Sequence, residues 1–286
     1  FCYGILDADN IPRRRFFEVQ SFFREVRPYE QVLTTPVHSD VAILYDFDAL
    51  ASFRIQQQSC LLDCEREMKR LHSCLFRAGQ SVDVIPASRD FSHYKLVLVP
   101  NLIVTDPDFA ARLKAYVAGG RTAVKDRDNN LVFGKTTPVD CGDLLGLYVE
   151  ETESVQAYDC IPIAGEKGGG TAGIFRDMVV SQGAQVLWHY DDPFYRSYAA
   201  ITRNAYGQGA AYYLGTTPEQ AILDQVLGQA MEEVGLEWLD LPEGVESVLR
   251  GEGDSQVRIL LNHNETPVYA LGQELAPFQV KVLPVT

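Results

Sequence analysis

The stretch Asp40-Val41-Ala42-Ile43-Leu44-Tyr45-Asp46 decides the fold. Val41–Tyr45 is apolar without a break, the pattern of a strand buried on both faces rather than one with a wet side. Around residues 55–78, Leu61, Cys64, Met68, Leu71, Leu75 and Ala78 recur at three- and four-residue intervals, which predicts a long helix stopped by Gly79. Val82–Ile85 then reads as a short strand and Leu96–Pro100 as a second continuous apolar strand. Asp106-Pro107 opens a helix that turns Phe109, Leu113 and Tyr116 inward and closes at Gly119-Gly120, after which Thr122–Lys125 is a further strand. Val- and Leu-rich strands, each followed by a helix, predict a doubly wound α/β domain with a mostly parallel sheet.

Further along the chain the pattern changes twice. Residues 127–195 are less regular, and Gly168-Gly169-Gly170 reads as a flexible loop, since no strand leads into it and no GK[ST] follows. Ala199–Arg203 and Ala210–Leu214 alternate like an antiparallel pair turned by Tyr206-Gly207-Gln208-Gly209. Thr217-Pro218-Glu219-Gln220 opens a final helix, with Thr217 as cap and Gln220 completing a capping box, and Gly235 ends it. After Pro242, the segments Val245–Leu249, Val257–Leu261, Val268–Leu271 and Val280–Leu283 are short strands with no helix between them, a small all-β domain.

Upstream of Val41, residues 12–27 read as a helix with Pro12 in its first turn and a stripe of Phe16, Val19, Phe23 and Val26. Such a face has to pack on something. With Phe1 rather than Met at the start, the chain reads as a piece of a longer protein. The expected division is 1–37 as the end of a preceding domain, 38–237 as the α/β domain and 238–286 as the β domain.

The balance of 25 Lys plus Arg against 39 Asp plus Glu gives a formal charge of −14, which argues against a nucleic-acid partner. No apolar run reaches the ~18 residues of a membrane span. Six cysteines without a CxxC pair, in a chain of 286 residues, fit reduced thiols in a cytoplasm rather than a disulfide framework.

Chemistry is sparse in the residues themselves. Asp46 and Asp48 follow the first strand, where α/β folds bind ligands, but capping of the next helix is the reading preferred for them. Cys60 and Cys64 are one helical turn apart with no histidine in that turn, so no metal site is assigned, and no motif calls for a cofactor. The turn Pro100-Asn101-Leu102-Ile103 offers no nucleophile, and His38, His72, His93, His189 and His263 are scattered without a triad spacing. Asp191-Asp192-Pro193 with Phe194, Tyr195 and Tyr198 gathers aromatics suited either to stacking on a sugar ring or to a subunit contact.

The order of these parts resembles the C-terminal half of glycoside hydrolase family 42 β-galactosidases. Gly4-Ile5-Leu6-Asp7 with Arg13-Arg14 is similar to the exit and last helix of that family's TIM barrel. The matching stretches of its trimerisation domain are Asp40–Asp46, Tyr94–Pro100 and Asp143-Leu144-Leu145-Gly146-Leu147, and Thr202-Arg203-Asn204 and Pro242–Glu246 to Asn262-His263 are similar to its closing strands and β domain. The resemblance implies a class I glutamine amidotransferase-like, flavodoxin-like fold for the central domain. It implies a parent enzyme that hydrolyses terminal β-D-galactosides with retention, through two glutamates on barrel strands that precede Phe1. Tyr3 stands where the family places a sugar-proximal His, which makes it the substrate-proximal candidate.

Three functions stay open on this reading. The first is a non-catalytic region that assembles the parent into a homotrimer; the second is a carbohydrate-binding module acting through exposed aromatics; the third is an amidotransferase-like hydrolase.

Overall fold

The computed structural model describes residues 4–6, 8–55, 59–101, 108–125, 140–156, 159–251, 253 and 256–285. Helix α1 (Arg14–Val26) carries the predicted stripe and an Arg14–Glu18 pair at 2.7 Å, yet it buries no side chain. A turn of 3-10 helix leads to α2 (Glu30–Leu33). The segment behind it is tied to the far end of the chain: the Arg250 guanidinium donates to the carbonyls of Leu33 and Thr35, and His38 N donates to Leu249 O at 3.2 Å.

Strand β1 (Val41–Tyr45) forms as its apolar run predicts, with Val41 to Leu44 fully buried. The long helix expected around residues 55–78 starts later, as α4 (Cys64–Arg77) with Leu61 outside it, and a separate helix α3 (Phe47–Ile55) precedes it. Local capping decides this: Asp63 accepts from Arg66 N at 3.0 Å and starts α4 afresh, while Asp46 accepts from Ala49 N at 2.8 Å in the first turn of α3. Then follow β2 (Val82–Pro86), β3 (Leu96–Val99), α5 (Phe109–Ala118) and β4 (Thr122–Lys125). The Asp106-Pro107 opening expected for α5 lies outside the described residues.

Past residue 139 the described chain turns to β structure. Helix α6 (Gly142–Leu145) ends at Gly146, whose φ of +64° is a left-handed stop. Next come β5 (Leu147–Ser154), β6 (Ile161–Gly165), β7 (Gly168–Ser181), β8 (Gln185–Tyr190), β9 (Ala199–Tyr206), β10 (Gly209–Leu214) and β11 (Thr216–Pro218). Helix α7 (Gln220–Glu233) begins after the expected Thr217 cap, because Thr217 and Pro218 pair with β7 as part of β11. Glu219 at its start reaches across the sheet instead, accepting from Thr171 N at 3.0 Å and Thr171 Oγ1 at 2.6 Å.

Among the described residues, eleven strands form one sheet in the order β11-β7-β6-β8-β9-β10-β4-β3-β1-β2, with β5 on β7. This overturns the expectation of a mostly parallel, doubly wound, amidotransferase-like or flavodoxin-like sheet. Parallel pairing is confined to β2-β1-β3-β4-β10, and the remaining seven pairings in the sheet are antiparallel. The consecutive pairs β6–β7, β8–β9 and β9–β10 are hairpins that need no crossover helices, so this half is β-rich.

Gly168-Gly169-Gly170, expected as a flexible loop, is ordered strand paired with Gly165, Ala164 and Ile163. The glycines answer to close approach: a Cβ at Gly170 would lie 2.6 Å from Glu219 Oε1 and 2.8 Å from Ile222 Cδ1. A Cβ at Gly165 would be driven into the backbone carbonyl of Leu187.

Two apolar layers flank the sheet. One packs α4 and α7 over Val41, Ile43, Leu96, Leu98 and Tyr212, and the other packs α5 and α6 over Ala42, Leu44, Val97, Val99 and Tyr213. Alternation along the strands sends neighbouring residues to opposite layers. Beyond them, β12 (Val245–Arg250), β13 (Val257–Asn262) and β16 (Val280–Pro284) form an antiparallel sheet, and β14 (Val268–Ala270) pairs with β15 (Gln273–Leu275). Leu241, Val245, Leu260 and Leu275 form the core of this small unit.

The antiparallel half is fixed by a buried carboxylate. Asp177 of β7 is 1% exposed, and it accepts from Tyr213 Oη at 2.7 Å and Thr152 Oγ1 at 2.6 Å. Tyr190 Oη donates to the carbonyls of Asp177 and Gly215, each at 3.0 Å. Tyr213→Phe deletes one donor to a buried charge, and urea unfolding should show a loss of about 1–3 kcal/mol with an unchanged denaturant slope; a loss below about 0.5 kcal/mol would contradict this role. Gly165→Ala should lower stability by about 1–3 kcal/mol in the same measurement, because backbone rather than a flexible side chain stands in the way; wild-type stability would count against the close-approach reading.

Candidate functional site

Residues 191–198 follow β8 as a tight turn carrying Phe194, Tyr195 and Tyr198. Backbone bonds close it: Asp191 N donates to Pro162 O at 2.8 Å, Arg196 N to Asp192 O at 2.9 Å, and Tyr198 N to Tyr195 O at 2.9 Å. The Asp192 carboxylate accepts from Phe194 N at 2.8 Å, an Asx turn that suits this residue type.

The three aromatics play different parts. The Arg176 guanidinium lies 3.7 Å from the Tyr195 ring centroid, so that face is already covered. Arg176 also reaches the Tyr190 ring at 5.6 Å and the Glu153 carboxylate at 2.7 Å, which ties the turn to β5 and β7. Tyr198 Oη donates to Glu150 Oε2 at 2.7 Å, and that bond to a carboxylate holds the phenol above its usual range. Phe194 is left 86% exposed on this braced turn.

Its surroundings are acidic. Asp191, Glu150 and Glu151 are exposed and Asp192 is half-buried, with Arg196 as the one basic side chain on the turn. A braced, exposed phenylalanine among carboxylates suits a contact with a complementary surface. Arg176, which organises the turn, is not legible in the sequence, because the irregular stretch 127–195 does not announce strand β7.

Elsewhere the structure offers little catalytic equipment. Tyr3 lies outside the described residues. Asp46 serves the first turn of α3, as noted. Cys60 is exposed before α4 while Cys64 is buried at its start, so the two do not share a helical face. Burial, and a bond to Asp224 at 2.9 Å, push the Cys74 thiol far above its usual range, which leaves it without nucleophilic character. At the end of β3 the sharp turn is made by Asn101 with φ +49°, a residue type without nucleophilic chemistry. His38 pairs with Asp40 at 3.1 Å and His263 with Glu246 at 2.9 Å. Among the described residues no group of three or more His, Cys, Asp or Glu is placed to hold a metal ion, and no helix is long and apolar enough to cross a membrane.

Comparison with known proteins meets this geometry. Residues 39–237 match the model of the beta-galactosidase trimerisation domain. The chain is 33% identical over 280 residues to the beta-galactosidase BgaA of Clostridium cellulovorans, covering 93% of this chain and 42% of that protein. Among solved structures, a beta-galactosidase from Bacillus circulans sp. alkalophilus superposes with a TM-score of 0.85 at 22% identity, covering 98% of this chain and 46% of that one. Gan42B, a GH42 beta-galactosidase from G. stearothermophilus, gives 0.83 at 24% identity, covering 98% and 45%. Both share the fold described above, and the chain spans less than half the length of each of these proteins. The family model covers residues 39–237, the whole span of the mixed sheet, and the chain belongs to the beta-galactosidase trimerisation domain family.

Proposed function

We propose that this chain holds copies of a longer β-galactosidase together as a homotrimer, and takes no part in bond cleavage itself. The match of residues 39–237 to the trimerisation domain family carries the reading. The parent would hydrolyse terminal β-D-galactosides with retention through a pair of glutamates lying outside this chain; the β-galactosidase relatives, of which the chain spans 42% in the first case, support that division of labour. Residues 1–37 would then belong to the catalytic domain, 38–237 to the assembly domain and 238–286 to the small β domain. Tyr3 is the candidate here for a contact with the sugar. Free thiols at the described cysteines support a cytoplasmic location.

Sedimentation velocity of the 286-residue chain at micromolar concentration tests the assembly. The expected result is a species of three chains that dissociates on dilution; a single-chain species across the whole range would refute it. A second reading, stacking of a sugar, draws on the exposed ring of Phe194. Titration with galactose and lactose separates the two: assembly predicts no saturable heat, whereas saturable binding lost in Phe194→Ala would favour the sugar.

A further inference from the structure

We infer that neighbouring copies meet by seating the acidic Phe194 turn of one against an arginine-lined groove of the next, the groove between α5 and the connection of residues 87–92. The inference rests on the self-association reading and names its two surfaces. A closed ring of three needs two different patches on each chain, since its contacts are head to tail. The turn follows β8 and the groove borders β3 and β4, with β9 and β10 between them in the sheet, so the patches are distinct.

The groove has what the turn lacks. Phe91 and Tyr116 pack edge to face at 5.4 Å as its floor. The Arg112 guanidinium lies 5.3 Å from the Phe91 centroid and is anchored by the carbonyls of Ala87 at 2.9 Å and Arg89 at 3.2 Å. The Arg121 guanidinium lies 5.8 Å from the Tyr116 centroid on the same groove. Beneath it, the Tyr116 hydroxyl is buried without a hydrogen-bond partner among the described residues.

In a chain of formal charge −14, a groove lined by two guanidiniums, Arg112 and Arg121, offers positive charge to an acidic surface. Asp90, on the rim of the groove, is engaged by Ser92 N at 2.9 Å and Ser92 Oγ at 3.0 Å. A carboxylate from Asp191 or Glu151 of the neighbouring copy supplies Arg121 with an acid, while Phe194 provides the apolar anchor that charge pairs alone do not.

Charge reversal tests the pairing in the full chain by sedimentation equilibrium. Asp191→Arg with Glu151→Arg on the turn, or Arg121→Glu in the groove, should each weaken association about tenfold or more, and the three changes together should recover most of it. Arg121→Gln, a milder change that keeps the residue's bulk, should weaken association by about threefold, and circular dichroism of each variant checks that it is folded. If wild type assembles while the reversals leave the association constant unchanged, or the combination is no better than the product of its parts, the pairing is wrong and self-association stands. A wild-type chain that never assembles would overturn both.

Discussion

Strand β10 carries the constraint on which the rest of the structure depends. It is hydrogen-bonded parallel to β4 on one side and antiparallel to β9 on the other, so it joins two halves built on different rules. Its pleat sends adjacent tyrosines to opposite faces, and each finds a carboxylate. Tyr213 donates to Asp177 of β7, while Tyr212 donates to Glu233 of α7 at 2.6 Å, an oxygen that Arg203 of β9 also reaches at 2.6 Å. The pairing register, the buried charge and the covering helix are thereby specified together, since a slip of one residue would exchange the two tyrosines.

Half of this was legible in the sequence, and the division follows physical lines. Val41–Tyr45 and Leu96–Val99 are buried on both faces, so their composition alone announces strands between helix layers. Strand β5, Leu-Tyr-Val-Glu-Glu-Thr-Glu-Ser, buries only Leu147 and Val149, and four of its residues are exposed. A strand with one wet side, interrupted by a register shift after Val149, leaves little periodicity to find. The glycines of β7 misled for a related reason. Glycine is weak evidence for a strand, yet here it is required because α7 and its Glu219 press on the sheet at Gly170.

The aromatic turn shows the same split at the level of a site. Phe194, Tyr195 and Tyr198 were visible as a cluster, but their separate parts depend on Arg176 and Glu150, which come from other strands of the sheet. Only a three-dimensional arrangement distinguishes a ring already covered by a guanidinium from one presented to the outside. Helix α1 tells a complementary story: its stripe was predicted, and among the described residues nothing covers Phe17, Phe22 or Phe23, which are 55%, 57% and 63% exposed.

These features describe a sheet whose interior is closed and whose working surface is external, in keeping with a family defined by assembly. Hydrogen exchange of the chain, followed by mass spectrometry at concentrations below and above its association range, locates that surface directly. The account predicts exchange slowed by concentration at residues 87–92 and 190–198 together, with the interior strands unchanged. Concentration-dependent protection confined to other surfaces, or absent throughout, would contradict it.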